Sequence, residues 1–203
     1  AVSLAGGEPL LCPELVELIA VLRQGGVVTN LCSNGRHLAA RAASLASAGL
    51  DSVTISVEGG SREIHEHVRP GPGGFQTCCE AAAACRECGL GVNVRMVILN
   101  DNWCEVEQAA DFWTERADHF FLQPFIPAHL RLESNPPDFF LSAGSEAALN
   151  KMFDRLFQRY PELDDPYNRC LPFWLFDRQP PHKATCFAGT FFAEINPSGE
   201  IFT

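Results

Sequence analysis

Apolar positions along the chain fall into two alternating patterns. Short runs rich in apolar and β-branched residues predict strands over 2–5, 27–32, 53–57, 92–99 and 120–123. Between them apolar residues recur at helical spacing. A helix is predicted over 13–23, where Leu15, Leu18, Ile19 and Leu22 share a face and Pro13 suits a first turn. Further helices are predicted over 39–48, closed by Gly49, over 75–88, closed by Gly89, and over 105–115. Five strands, each followed by a helix or turn, imply an α/β fold with parallel pairing through right-handed crossovers. Such sheets take ligands beyond the carboxyl ends of their strands.

From 124 to about 141 the pattern dissolves into Pro, Asn and Asp, the composition of a loop or linker. An amphipathic helix follows over 145–160, with Leu149, Met152, Phe153, Leu156 and Phe157 on one face. Beyond Pro161 a proline- and aromatic-rich stretch leads to Cys186 and to a hairpin of 191–195 with 200–202, turning at Asn196-Pro197-Ser198-Gly199. The expected organisation is a partial barrel core at 1–125, a linker and amphipathic helix at 126–165, and the start of a small extension at 166–203.

Composition narrows the partners. With 203 residues, 46% of them hydrophobic and 20% charged, the chain can bury a full core. Its 15 basic and 25 acidic residues give a net charge of -10, which argues against nucleic acid. No apolar run of about 18 residues and no signal sequence stands out, so no membrane partner and a cytoplasmic location are expected. The chain opens without Met and stops at Glu200-Ile201-Phe202-Thr203, within a predicted strand, which predicts a piece of a longer protein. Nine cysteines spread through helical patterns predict reduced thiols or metal ligands rather than a disulfide framework. Cys12, Cys32 and Cys104 are expected in or near the core. So are Cys78, Cys79, Cys85 and Cys88, as small thiols on a helix.

Candidate chemistry gathers at the strand ends. Gly6-Gly7-Glu8-Pro9 lies between a strand and a helix. Its glycines let a ligand approach the backbone, Pro9 stiffens the exit, and Glu8 offers acceptors for an ammonium group. The plain alternative is a tight turn with a capping carboxylate. Ser33-Asn34-Gly35 follows the second strand, Ser56-Val57-Glu58-Gly59 the third and Asn100 the fourth, so four ends converge on one rim. His65 and His67, amid nearby glycine and proline, read as loop residues on the surface or packing around the loop.

The order of these motifs resembles the radical S-adenosylmethionine (radical SAM) enzymes. Their barrels carry a GGEP loop, then a TNG-like turn, then an ISLDG-like segment. Here Ser33 stands for the usual Thr, Glu58 for the usual Asp, and Ile64-His65-Glu66 through Arg69 resembles a His-Asp-x-x-Arg stretch with Glu66 in the Asp position. The resemblance covers about 1–125 and implies a partial (β/α) barrel. It implies S-adenosylmethionine as cofactor, with Gly6, Gly7 and Glu8 receiving the methionyl ammonium and Ser56 and Arg69 the methionyl carboxylate. Pro9, Ser33, Asn34, Glu58 and Asn100 complete the candidate cofactor-binding set. The family's [4Fe-4S] cluster is held by a CxxxCxxC loop, which is absent here and expected upstream. Cys186-Phe187-Ala188-Gly189 resembles the start of a SPASM or twitch extension, which makes Cys186 a candidate ligand of an auxiliary [4Fe-4S] cluster.

The implied activity is reductive cleavage of S-adenosylmethionine to a 5′-deoxyadenosyl radical that abstracts hydrogen from a peptide, protein or small-molecule substrate. An electron donor such as flavodoxin or ferredoxin is the implied partner. A non-catalytic peptide- or nucleotide-binding module on the same fold is the alternative. An unrelated barrel aldolase would need a strand-end lysine, and Lys151 and Lys183, the only lysines, lie at none.

Overall fold

β1 (Val2–Leu4), β2 (Thr29–Ser33), β3 (Ser52–Val57), β4 (Gly91–Ile98) and β5 (His119–Pro124) form one sheet in that order, every pair parallel. This computed structural model describes residues 1–71, 74–125, 141–176, 194–195 and 198–202. Each strand pairs with its neighbour in sequence, so the sheet is a partial (β/α) barrel wall built from successive right-handed units. Its register sets Ser56 beside Arg95 and Arg95 beside Phe121, then Val57 beside Met96 and Met96 beside Leu122.

β4 shows why the wall has two characters. Val92, Val94, Met96 and Ile98 are buried against the helices, while Gly91, Asn93, Arg95 and Val97 alternate with them on the other face. The covering helices are α1 (Leu15–Gln24), α2 (Leu38–Ala48), α3 (Arg62–Val68), α4 (Gly74–Glu87) and α5 (Val106–Trp113). Small buried residues, Ala42 on α2 and Ala81 and Ala82 on α4, let these two helices lie close together. Gly49 ends α2 in the left-handed conformation (φ 92°), and its N–H and that of Leu50 bond back to Ala46 and Leu45.

α6 (Glu146–Arg159) buries Leu149, Met152, Phe153 and Leu156 in the same core. Arg155 and Arg159 reach Glu107 and Asp111 of α5, at 2.5 and 2.9 Å. The chain then adds the one-turn helix α7 (Leu171–Trp174), with Leu163, Leu171 and Leu175 buried. The expected hairpin is present as β6 (Glu194–Ile195) antiparallel to β7 (Ile201–Phe202), with Gly199 at φ 82° in its turn. Cys186 and most of the expected linker lie outside the described residues. Among the described residues no helix is long and apolar enough to cross a membrane.

Three expectations change. α1 begins at Leu15, because Pro9–Leu11 forms its own 3-10 turn capped by the Glu8 carboxylate. The expected loop around His65 is α3, started by Ser61, whose Oγ accepts the Ile64 N–H at 3.4 Å. The glycines and prolines of that region flank the helix, Gly59 and Gly60 before Ser61 and Pro70 and Gly71 after Arg69, so they bound it rather than prevent it. Cys12 and Cys104 are exposed and Cys32 is half-buried, since the first two sit on surface turns and the third faces the uncovered side of the sheet. Cys78 and Cys85 are buried, Cys79 and Cys88 half-buried.

Candidate functional site

The exits of β1 and β2 are fastened by one side chain. Glu8 Oε1 accepts from the Leu10 N–H (3.2 Å) and from Ser33 Oγ (3.0 Å), and its Oε2 accepts from the Asn34 N–H (2.9 Å). The cap and the strand-end roles are therefore the same contact. Ser33 Oγ in turn accepts from the Gly35 N–H (3.1 Å), and Asn34 Oδ1 from the Arg36 N–H (2.9 Å), which closes the turn. Gly35 needs its φ of 86°, and a Cβ there would stand 3.3 Å from Cys78 Sγ. Burial pushes the Cys78 thiol up to about 12, so it stays protonated, with Sγ 3.6 Å from the Asn34 carbonyl and 3.9 Å from that of Ser56.

Gly6 and Gly7 behave differently. Gly6 has φ 132°, both residues are exposed, and a Cβ on either would meet nothing within 4 Å. Among the described residues neither carbonyl accepts a hydrogen bond. The loop thus presents free backbone acceptors above a rigid Glu8 anchor.

At the end of β3, Glu58 is 5% exposed and forms an ion pair with Arg69, whose other Nη lies 3.5 Å from the Ser56 carbonyl. Burial raises the Glu58 carboxyl above its ordinary range, opposed by the charge and hydrogen bond of Arg69. The Glu58 N–H donates to His65 Nδ1 (3.2 Å), and its carbonyl accepts from Asn102 Nδ2 (3.1 Å). Asn102 also donates to the Val97 carbonyl (2.9 Å) and accepts the Leu99 N–H (2.7 Å), so one buried amide joins the ends of β3 and β4. Trp113 Nε1 completes the corner by donating to the Gly59 carbonyl at 3.0 Å.

The strand ends thus bring together Glu8, Ser33 and Asn34 in one cluster and Glu58 and Arg69 in another, with the Ser56 carbonyl reached by Arg69. The Ser56 hydroxyl makes no hydrogen bond among the described residues. Pro9 opens the 3-10 turn, and Asn100 is half-buried, with Nδ2 3.5 Å from Asp101 Oδ1. Asn102 and the buried His65 were not among the sequence-based candidates. The Asn-Asp-Asn run directly after β4 was the available signal for the first, and the Ser61 cap for the second.

His65 is 1% exposed, and burial, helped by the Arg69 charge, lowers its pKa from 6.5 to about 4. Above pH 6.5 it is neutral in folded and unfolded chains alike. Between 6.5 and about 4 the unfolded chain binds a proton that the folded chain refuses, so stability falls as the pH drops through that window. The expected loss approaches ~3 kcal/mol near pH 4. Urea unfolding of wild type and His65→Gln across that range checks it. A difference between the two that stays constant from pH 7 to 4.5 contradicts the assignment.

The arrangement fits the methionyl end of S-adenosylmethionine: open carbonyls suit an ammonium, and a free hydroxyl on Ser56 suits a carboxylate. For the iron–sulfur cluster, no group of three His, Cys, Asp or Glu side chains converges among the described residues.

Fold and rim define a partial parallel (β/α) barrel with a candidate site at its strand ends. Residues 1–112 match the Radical SAM superfamily, more than half of the chain, and the chain belongs to that superfamily. It is 30% identical over 113 residues to the PqqA peptide cyclase of Ruegeria pomeroyi, covering 55% of this chain and 30% of the cyclase. It is 26% identical over 141 residues to the AdoMet-dependent heme synthase of Methanosarcina barkeri, covering 67% of this chain and 40% of the synthase. Among solved structures, native anSMEcpe with bound AdoMet superposes with a TM-score of 0.63 at 19% identity, over 79% of this chain and 47% of that one. Streptococcus suis SuiB bound to the precursor peptide SuiA gives 0.57 at 18% identity, over 87% and 43%. In each of these matches the chain spans less than half of the similar protein.

Proposed function

We propose that this chain forms the cofactor-holding wall of an enzyme that cleaves S-adenosylmethionine reductively and takes hydrogen from a peptide or protein substrate. The observation that carries the reading is the Glu8 tie, which fixes the exits of β1 and β2 while leaving the Gly6 and Gly7 carbonyls open. S-adenosylmethionine bound at a reduced [4Fe-4S] cluster supplies a 5′-deoxyadenosyl radical, the species that removes a substrate hydrogen. Gly6 and Gly7 accept the methionyl ammonium, and the Ser56 hydroxyl donates to the methionyl carboxylate. Glu8, with Pro9, Ser33 and Asn34, holds the loop in place. Arg69 acts through Glu58 and the Ser56 carbonyl, as a positioning residue. Asn100 lies on the same rim, beyond β4.

The cluster's ligands are assigned to a CxxxCxxC segment outside this sequence, and Cys186 to an auxiliary cluster. Flavodoxin or ferredoxin is the class of electron donor. Peptide as the substrate class is supported by the peptides named with two of the similar proteins, PqqA and SuiA.

The test is anaerobic iron–sulfur reconstitution of the intact protein, reduction, and assay for 5′-deoxyadenosine, which is expected to form. A full cluster complement without that product overturns the reading. Glu8→Gln sets an amide NH2 against either the Leu10 N–H or the Asn34 N–H. It is expected to weaken S-adenosylmethionine binding at least about tenfold in equilibrium dialysis, with cluster content unchanged.

A further inference from the structure

On the sheet face that the helices leave uncovered, side chains sort by strand. Over β1 to β3 they are small and polar, and around Asn30 they satisfy one another. Asn30 Nδ2 donates to Ser3 Oγ (3.2 Å), and its Oδ1 accepts from Ser52 (3.0 Å) and Thr54 (3.1 Å). Over β4 and β5 the same face changes character. Arg95 stands in register between Ser56 and Phe121, which makes one row with neighbouring strands about 4.8 Å apart.

That row is unsatisfied. Arg95 is half-buried, yet among the described residues its guanidinium makes no hydrogen bond and no ion pair. The other half-buried arginines are held, Arg41 by the Leu10 carbonyl at 2.7 Å and Arg69 by Glu58. Acids are not scarce in a chain with 25 of them and a net charge of -10. Beside Arg95 the Ser56 hydroxyl also makes no hydrogen bond among the described residues, and Phe121 is 47% exposed. Five fixed N–H donors with no ion pair among the described residues, next to an open phenyl ring, match a carboxylate attached to an apolar group.

The geometry points to Arg95 as a substrate-selecting residue that binds a carboxylate carried beside an apolar or aromatic group, as in an acidic side chain or chain end of a peptide. This rests on the proposed function for its place. Apart from Asn100 beyond β4, the proposed cofactor residues lie toward the exits of β1 to β3, which leaves the inner face of β4 and β5 to the substrate.

The probe is hippurate, a carboxylate next to a phenyl ring, with the neutral hippuramide as control, titrated by NMR into the intact protein. Hippurate is expected to bind wild type at least about tenfold more tightly than hippuramide, and Arg95→Gln to abolish that preference. Arg95→Lys, which keeps the charge but not the fork, is expected to restore part of it. Equal binding of the two probes by wild type, or an unchanged preference in Arg95→Gln, overturns the proposal. S-adenosylmethionine binding is measured in parallel on the reconstituted protein. An Arg95→Gln variant that loses cofactor affinity while keeping the hippurate preference assigns Arg95 to the cofactor and also overturns it. Wild type that binds hippurate selectively but not S-adenosylmethionine upholds Arg95 and fails the cofactor reading alone.

Discussion

Arg69→Ala is expected to lower folding stability at neutral pH by about 3 kcal/mol, the lower end for breaking a buried ion pair, because Arg69 itself is partly in water. Glu58 is 5% exposed and would be left as a buried charge with no counter-charge. Burial already raises its pKa above 4.5, and without Arg69 the folded-state value climbs further. From about pH 4.5 upward the unfolded chain releases a proton that the folded variant retains. The variant's stability therefore falls as the pH rises through that window. The gap to wild type is expected to be small near pH 4 and full at pH 7. His65 changes in the same sense, since losing the Arg69 charge eases its protonation at acid pH. Urea unfolding at the two pH values measures this. Glu58→Gln in the Arg69→Ala background should recover much of the loss at pH 7, because a neutral amide needs no counter-charge. A gap below ~0.5 kcal/mol at pH 7 would mean that water reaches Glu58.

Gly60→Ala is expected to cost about as much for a steric reason. A Cβ on Gly60 would stand 2.6 Å from the Gln108 carbonyl carbon and oxygen and 2.7 Å from the Ala109 nitrogen. Every one of those atoms is backbone, so no side chain can swing aside and α5 itself must retreat. That movement pulls on the Trp113 bond to the Gly59 carbonyl and on the Ser61 bond to Glu105. An overpacking cost of about 3 kcal/mol corresponds to a melting point lowered by roughly 6–12 °C in a chain of this size. Gly144→Ala serves as control, since a Cβ there meets nothing within 4 Å. Equal melting points for the two variants would show that α5 can shift freely.

The strands were legible as short apolar and β-branched runs because each must bury one face, as β4 does with Val92, Val94, Met96 and Ile98. Their parallel pairing followed from the helices between them. α3 was not legible from periodicity, since seven residues give barely two turns, and the nearby glycines and prolines masked the Ser61 cap. At the rim, the motif residues were readable, but their pairing was not. Spacing in sequence cannot say that Glu8 turns toward Ser33 and Asn34, or that Arg69 turns to Glu58. Arg95 illustrates the limit best. In the sequence it is one polar position in an alternating strand, and only the three-dimensional neighbourhood shows a guanidinium with no partner among the described residues.

The Glu8 anchor bears on how a ligand would be received. With one carboxylate oxygen on the Asn34 amide and the other on Ser33 and Leu10, the first two loops lose their independent motion when the chain folds, before any molecule arrives. Little conformational freedom is left for binding to remove at that corner. A small charged ligand of the proposed kind would meet a corner already tied at Glu8, and discrimination among similar ligands would depend on how well each matches that frame rather than on how far the two loops can bend.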